Sequence, residues 1–152
     1  MKRLLFGLLL MFPLTAVAQQ IYVDASTPDL VGQSFVFAFK QHVQASASYK
    51  LLDSAGNGIT VQIISVDVGN GEGNASAISV LASLPLDGAG QYVLYHNVLL
   101  VGRDRVNDMS NVLLAGIDSQ VSATRAMIEK AKKLDNTQHF AQPAINKMPQ
   151  EQ

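Results

Sequence analysis

The hydrophobic rhythm changes several times along this chain, and each change marks an element. Gln20-Ile21-Tyr22-Val23-Asp24-Ala25 is short and β-rich, the outline of a strand. In Ser26-Thr27-Pro28-Asp29, Thr27 is suited to cap a helix, Pro28 to its first position and Asp29 to the positive end of its dipole. A helix from Pro28 to about Ala45 would set Gly32, Phe35, Val36, Phe39, His42 and Val43 along one stripe. The alternation of Phe35, Phe37 and Phe39 also fits a strand; the start signal and the length favour the helix.

Ser48 to Leu52 is a second short strand candidate. The turn-rich Asp53-Ser54-Ala55-Gly56-Asn57-Gly58 follows it, and Asn57-Gly58 is a strong hairpin signal. Ile59 to Val68 alternates cleanly, with Ile59, Val61 and Ile63 on one side and Thr60 and Gln62 on the other. Ala75 to Leu84 alternates in the same way, placing Ile78, Val80, Ala82 and Leu84 on one face. Gln91 to Val101 is apolar on both faces, which predicts a central strand covered on both sides or partly buried at an interface. From Arg105 the period becomes helical. Val106, Met109, Leu113, Ile117 and Val121 share a stripe that Ile128 extends, with Asp104 as a cap and Asp108 in the first turn. Gly116 either weakens this helix or marks close packing. The order predicts an α+β fold: two helices packed on one face of a mainly antiparallel sheet of about five strands, β-α-β-β-β-β-α.

The two ends read differently. Met1-Lys2-Arg3 is a positive start, Leu4 to Val17 carries no charge, and Ala16-Val17-Ala18 sets small residues at the −3 and −1 positions. This is the layout of a secretory signal peptide over residues 1–18, with cleavage expected before Gln19. An uncleaved membrane anchor is the rival reading, but the apolar run falls short of the ~20 residues that span a bilayer. Residues 19–134 form the expected single domain. Asp135 to Gln152 is polar and Gln-rich with Pro143 and Pro149, and is read as a disordered tail.

Composition then narrows the chemistry. The chain has 152 residues, 48% apolar and only 15% charged, with a formal charge of −1. Removing Lys2 and Arg3 with the signal leaves nine basic against twelve acidic residues, a formal charge of −3. Nucleic acid is therefore a poor partner, and export makes it poorer. With no Cys there are no disulfides, thiolate sites or acylated lipoprotein cysteine. No membrane span is expected after cleavage, and no cofactor or metal is implied.

Candidate chemistry is sparse. His42, His96 and His139 are scattered, with no HxH or HxxxH spacing for a metal. No serine sits in a Gly-x-Ser-x-Gly elbow. Gly69-Asn70-Gly71-Glu72-Gly73 precedes a β-like stretch and lacks the helix start a phosphate loop needs. Asp104 and Asp108 lie one helical turn apart, as acid–base or cation work would require, but capping explains them better. The basic run from Arg125 to Lys133 suits a solvated helix end. His96, flanked by Tyr92, Tyr95 and Asn97, and the pair Arg103 and Arg105 are the candidate binding residues. No catalytic residue is assigned.

The stretch Asp29-x-x-Gly32, Phe39-Lys40 and Ser46-x-Ser48-Tyr49-Lys50-Leu51, with the closing Val101-Gly102-Arg103-Asp104-Arg105-Val106, resembles a group of short exported proteobacterial proteins of unknown function. Over about residues 20 to 118 the layout also resembles the TolB amino-terminal domain, a periplasmic α/β module that engages envelope partners; the propeller of that family is absent. The resemblance implies a periplasmic or secreted chain with a protein partner in the cell envelope, and carries over no catalytic residue. Two readings follow: a non-enzymatic periplasmic protein-binding or envelope-associated module, or a small periplasmic hydrolase or ligand-binding protein using His96 with Tyr92, Tyr95 or Asp104.

Overall fold

The computed structural model describes residues 18–68, 71–86 and 90–139, with side chains described as far as Leu134. The elements follow the expected order: β1 (Gln19–Ser26), α1 (Leu30–Ala45), β2 (Tyr49–Leu52), β3 (Ile59–Asp67), β4 (Ala75–Leu86), β5 (Gly90–Gly102), a 3-10 turn at Arg103–Arg105, and α2 (Val106–His139). The five strands form one sheet in the order β2-β1-β3-β4-β5. This is the α+β architecture of two helices against one face of a five-stranded sheet. The expected signal segment lies, but for Ala18, outside the described residues. So do the residues beyond His139. Within the stretch read as a tail, α2 continues for five residues, from Asp135 to His139.

The sheet is mixed. β1 pairs in parallel with both β2 and β3, while β3–β4 and β4–β5 are antiparallel. Parallel neighbours cannot be joined by a tight hairpin and need a crossover, which α1 supplies between β1 and β2. Asn57-Gly58 does not close a hairpin, because β1 occupies the slot between β2 and β3. The hairpin expectation reads turn chemistry correctly but misses that an earlier strand has taken the neighbouring position.

The strand alternation sorts side chains as expected. Ile21, Ile59, Val61, Ile63, Ile78, Val80 and Ala82 are buried beneath the helices. The conflict at Phe35, Phe37 and Phe39 resolves as a helix: Phe35 and Phe39 are fully buried, and Phe37 is 64% exposed. From α2 the core receives Val106, Leu113, Leu114, Ile117 and Val121. The stripe ends there, since Ile128, expected to extend it, is exposed.

The start of α1 is fastened to the sheet by Asp29. This residue, rather than Thr27, is the N-cap, and its carboxylate accepts from the Gly32 N–H at 2.7 Å. The same carboxylate accepts from the hydroxyls of Ser65 on β3 and Ser76 on β4, both buried. Gly32 is needed at this point because an added Cβ would overlap the Ser65 side chain. The helix can therefore approach β3 closely only where it carries no side chain. Gly116 is the corresponding point on α2. A Cβ there would lie 3.0 Å from the Tyr95 ring, so close packing is the correct reading of this glycine.

β5 departs most clearly from expectation. Its two apolar faces suggest a central strand, yet it is an edge of the sheet. One face meets α2; the other is open.

Candidate functional site

The open face of the sheet is the surface left by this arrangement. Both helices lie on the opposite side, so the residues between the buried ones on each strand point away from the core. On β3, Ile64 and Val66 are 44% and 60% exposed, and on β5, Val98 and Leu100 are 72% and 71% exposed. The register brings them together. Ile64 and Val98 both sit opposite Ser79, and Val66 and Leu100 both sit opposite Ala77. Leu81 lies between Gln62 and His96 in the next row, and Val93 is opposite Ser83 beyond it. At the far side of the sheet the face becomes polar, with Asp24 on β1 and Lys50 on β2. Antiparallel sheets with one solvated face ordinarily carry polar residues there. In the half formed by β3, β4 and β5 this face carries an apolar patch and no Asp, Glu, Lys or Arg.

β5 itself adds an edge that no described residue pairs. It has thirteen residues, none of them Asp, Glu, Lys, Arg or Pro. A long uncharged edge offers unpaired backbone donors and acceptors to another chain, and charge or proline usually blunts such edges. The bulge where the register slips between Ala82 and Ser83 is a local interruption.

The five candidate binding residues do not form one site. His96 lies on the open face, beside Gln62, Ser79, Leu81 and Val98, in a shallow depression of about 400 Å3. Tyr95 is on the helix side, its ring against Gly116 and its hydroxyl accepting from Asn97 Nδ2 at 2.9 Å. Tyr92 is also on the helix side, in an apolar groove of about 370 Å3 with Leu84, Leu86, Met127 and Ile128. Arg103 and Arg105 lie past the end of β5. At ~3.3 Å per strand residue they sit more than about 20 Å from His96. Arg105 faces Asp108 across 3.7 Å at the exposed start of α2. Asp104 stands in the same turn, so it and His96 do not converge on a pocket. Adjacency in sequence misleads here because successive strand residues point to opposite faces.

Sequence reasoning missed the two polar clusters that hold the fold. Besides the Asp29 cluster, the buried Tyr49 donates its hydroxyl to Asp118 Oδ1 at 2.8 Å, joining β2 to α2. Burial raises the Tyr49 phenol above its ordinary value, and the bond to Asp118 and that residue's charge add to the rise, against a smaller lowering by Arg125. For Asp29, burial raises the carboxyl, but the bonds from Ser65, Ser76 and Gly32 outweigh it and hold the group below its ordinary 3.8. Among the described residues there is no group of three or more His, Cys, Asp or Glu placed to hold a metal, and no helix long and apolar enough to cross a membrane.

No protein-family model and no curated protein matches this chain. The resemblance to the TolB amino-terminal domain thus remains one of layout. Among solved structures the chain has a distant likeness to the rare lipoprotein B from Shewanella oneidensis, at 11% identity and a TM-score of 0.36, covering 71% of this chain and 98% of that one.

Proposed function

We propose that this chain is an exported, non-enzymatic protein-binding module of the cell envelope, and that it binds through the open face of its sheet. One observation carries the reading: an uncharged apolar patch on β3, β4 and β5 is left uncovered by the described residues and runs out to the edge strand β5. Exposed apolar surface costs solubility and is characteristic of protein interaction sites. The export layout of residues 1–18 supports a periplasmic or secreted location, where such a patch would meet envelope proteins. The alternative, a small periplasmic hydrolase or ligand-binding protein using His96 with Tyr92, Tyr95 or Asp104, is less favoured, because Tyr92 and Tyr95 lie on the helix side and Asp104 past the end of β5, away from His96 on the open face.

Crosslinking in envelope extract, followed by purification of the tagged chain, tests this. Val98→Asp is the informative variant, because Val98 is exposed and its replacement removes no core contact. The reading expects a protein recovered with the wild type and lost with Val98→Asp. Recovery of no protein, or of the same proteins with both, would count against it.

A further inference from the structure

We infer that the protein occupying the open face is a second copy of this chain, docked sheet to sheet. The inference rests on reading that face as a protein-binding surface and names its occupant.

Charge is the first argument. In a two-fold symmetric interface each patch meets itself, so any charge near the axis faces its twin. The open face of β3, β4 and β5 has no Asp, Glu, Lys or Arg, while the charged Asp24 and Lys50 are set off on the β1 and β2 side. Such a surface suits a copy of itself. It provides no cation for an anionic lipid and no charge for a charged partner to pair with.

Area is the second. The uncharged part of the face spans three strands at ~4.8 Å, about 14 Å, and their nine, twelve and thirteen residues at ~3.4 Å run about 30–44 Å. The flat footprint is about 550 Å2, and the side chains add to it. A specific interface needs about 500 Å2 on each partner, so docking through this part of the face clears that floor. Pairing β5 edge to edge covers a band one strand wide and thirteen residues long, about 200 Å2 flat, which does not. Two such sheets packed about 10 Å apart would put Ile64, Val66, Val98 and Leu100 of each copy in a shared second core, with helices outside.

Sedimentation velocity of the exported, processed protein over a wide concentration range is the test. The inference expects a dimer whose dissociation constant rises at least tenfold in Val98→Asp and in Leu100→Asp, since each sets a carboxylate against apolar surface and near its twin. Phe37→Asp, on the exposed side of α1, should leave the dimer unchanged. Circular dichroism melts identify any variant that has merely unfolded, and the other β5 variant then decides. A wild type that stays monomeric throughout overturns the inference. So does a dimer that survives both β5 substitutions, or one lost with Phe37→Asp. If the protein is monomeric but a foreign envelope protein is captured and lost with Val98→Asp, the second copy is refuted and the protein-binding reading stands.

Discussion

Asp29 shows how much one side chain can carry. It caps α1 and accepts hydrogen bonds from the hydroxyls of Ser65 and Ser76, so helix and sheet are tied at a single carboxylate. Asn also caps helices well, so Asp29→Asn isolates the loss of charge-assisted bonds. It should cost about 1–3 kcal/mol at neutral pH, read from urea denaturation. The folded-state value of Asp29 is depressed, so its contribution is complete above the ordinary 3.8 and fades as pH falls through the lower folded value. The stability gap between wild type and variant should therefore hold from neutral pH down to about pH 5 and close only in strong acid. Asp29 is legible in the sequence as a helix-start residue. Its two serine partners are not, because they come from strands 36 and 47 residues away.

At the level of elements, two pairs tie α2 to the sheet beyond the shared apolar core. Tyr49 to Asp118 joins β2 to α2, and Tyr49→Phe should lose about 1 kcal/mol at neutral pH. The raised phenol value makes this contribution complete below the ordinary 10.0 and lost as pH rises toward the folded value. Alkaline denaturation should accordingly narrow the gap between wild type and Tyr49→Phe above about pH 10. The second pair is Gly116 and Tyr95. Alanine at 116 would ordinarily favour a helix by about 1 kcal/mol, but its Cβ would press on the Tyr95 ring. A double-mutant cycle should show Gly116→Ala neutral or destabilising in the wild type and stabilising by up to about 1 kcal/mol beside Tyr95→Ala. The existence and order of the elements were legible because the alternating and helical periods are long. The start of α1 moved by two residues, from Pro28 to Leu30, where Thr27, Pro28 and Asp29 all favour a helix start.

For the whole molecule, α2 is longer than the core it serves. Its 34 residues extend about 50 Å, yet among the side chains described, as far as Leu134, the last buried one is Val121. Beyond that point Met127, Ile128 and Leu134 are exposed, and the helix is held by its own backbone bonds and by contacts such as Arg125 to Gln19. Amide exchange should be slowest over residues 106–121 and faster by orders of magnitude after about residue 125, since helix without buried contacts opens locally. Uniform protection along α2 would show that something covers its far half.

The sequence by itself determined how many elements there are and which residues of α1, β3 and β4 face the core; those follow from periodicity, which each segment carries locally. That both helices share one side followed from the order of the elements. Tertiary structure alone decided that β1 sits between β2 and β3, that β5 is an edge, and which of its two faces meets α2. Strand neighbours are chosen by pairings between residues far apart in the chain, and the local pattern of β5 is the same for a strand buried in the middle and for one waiting at the edge for a partner.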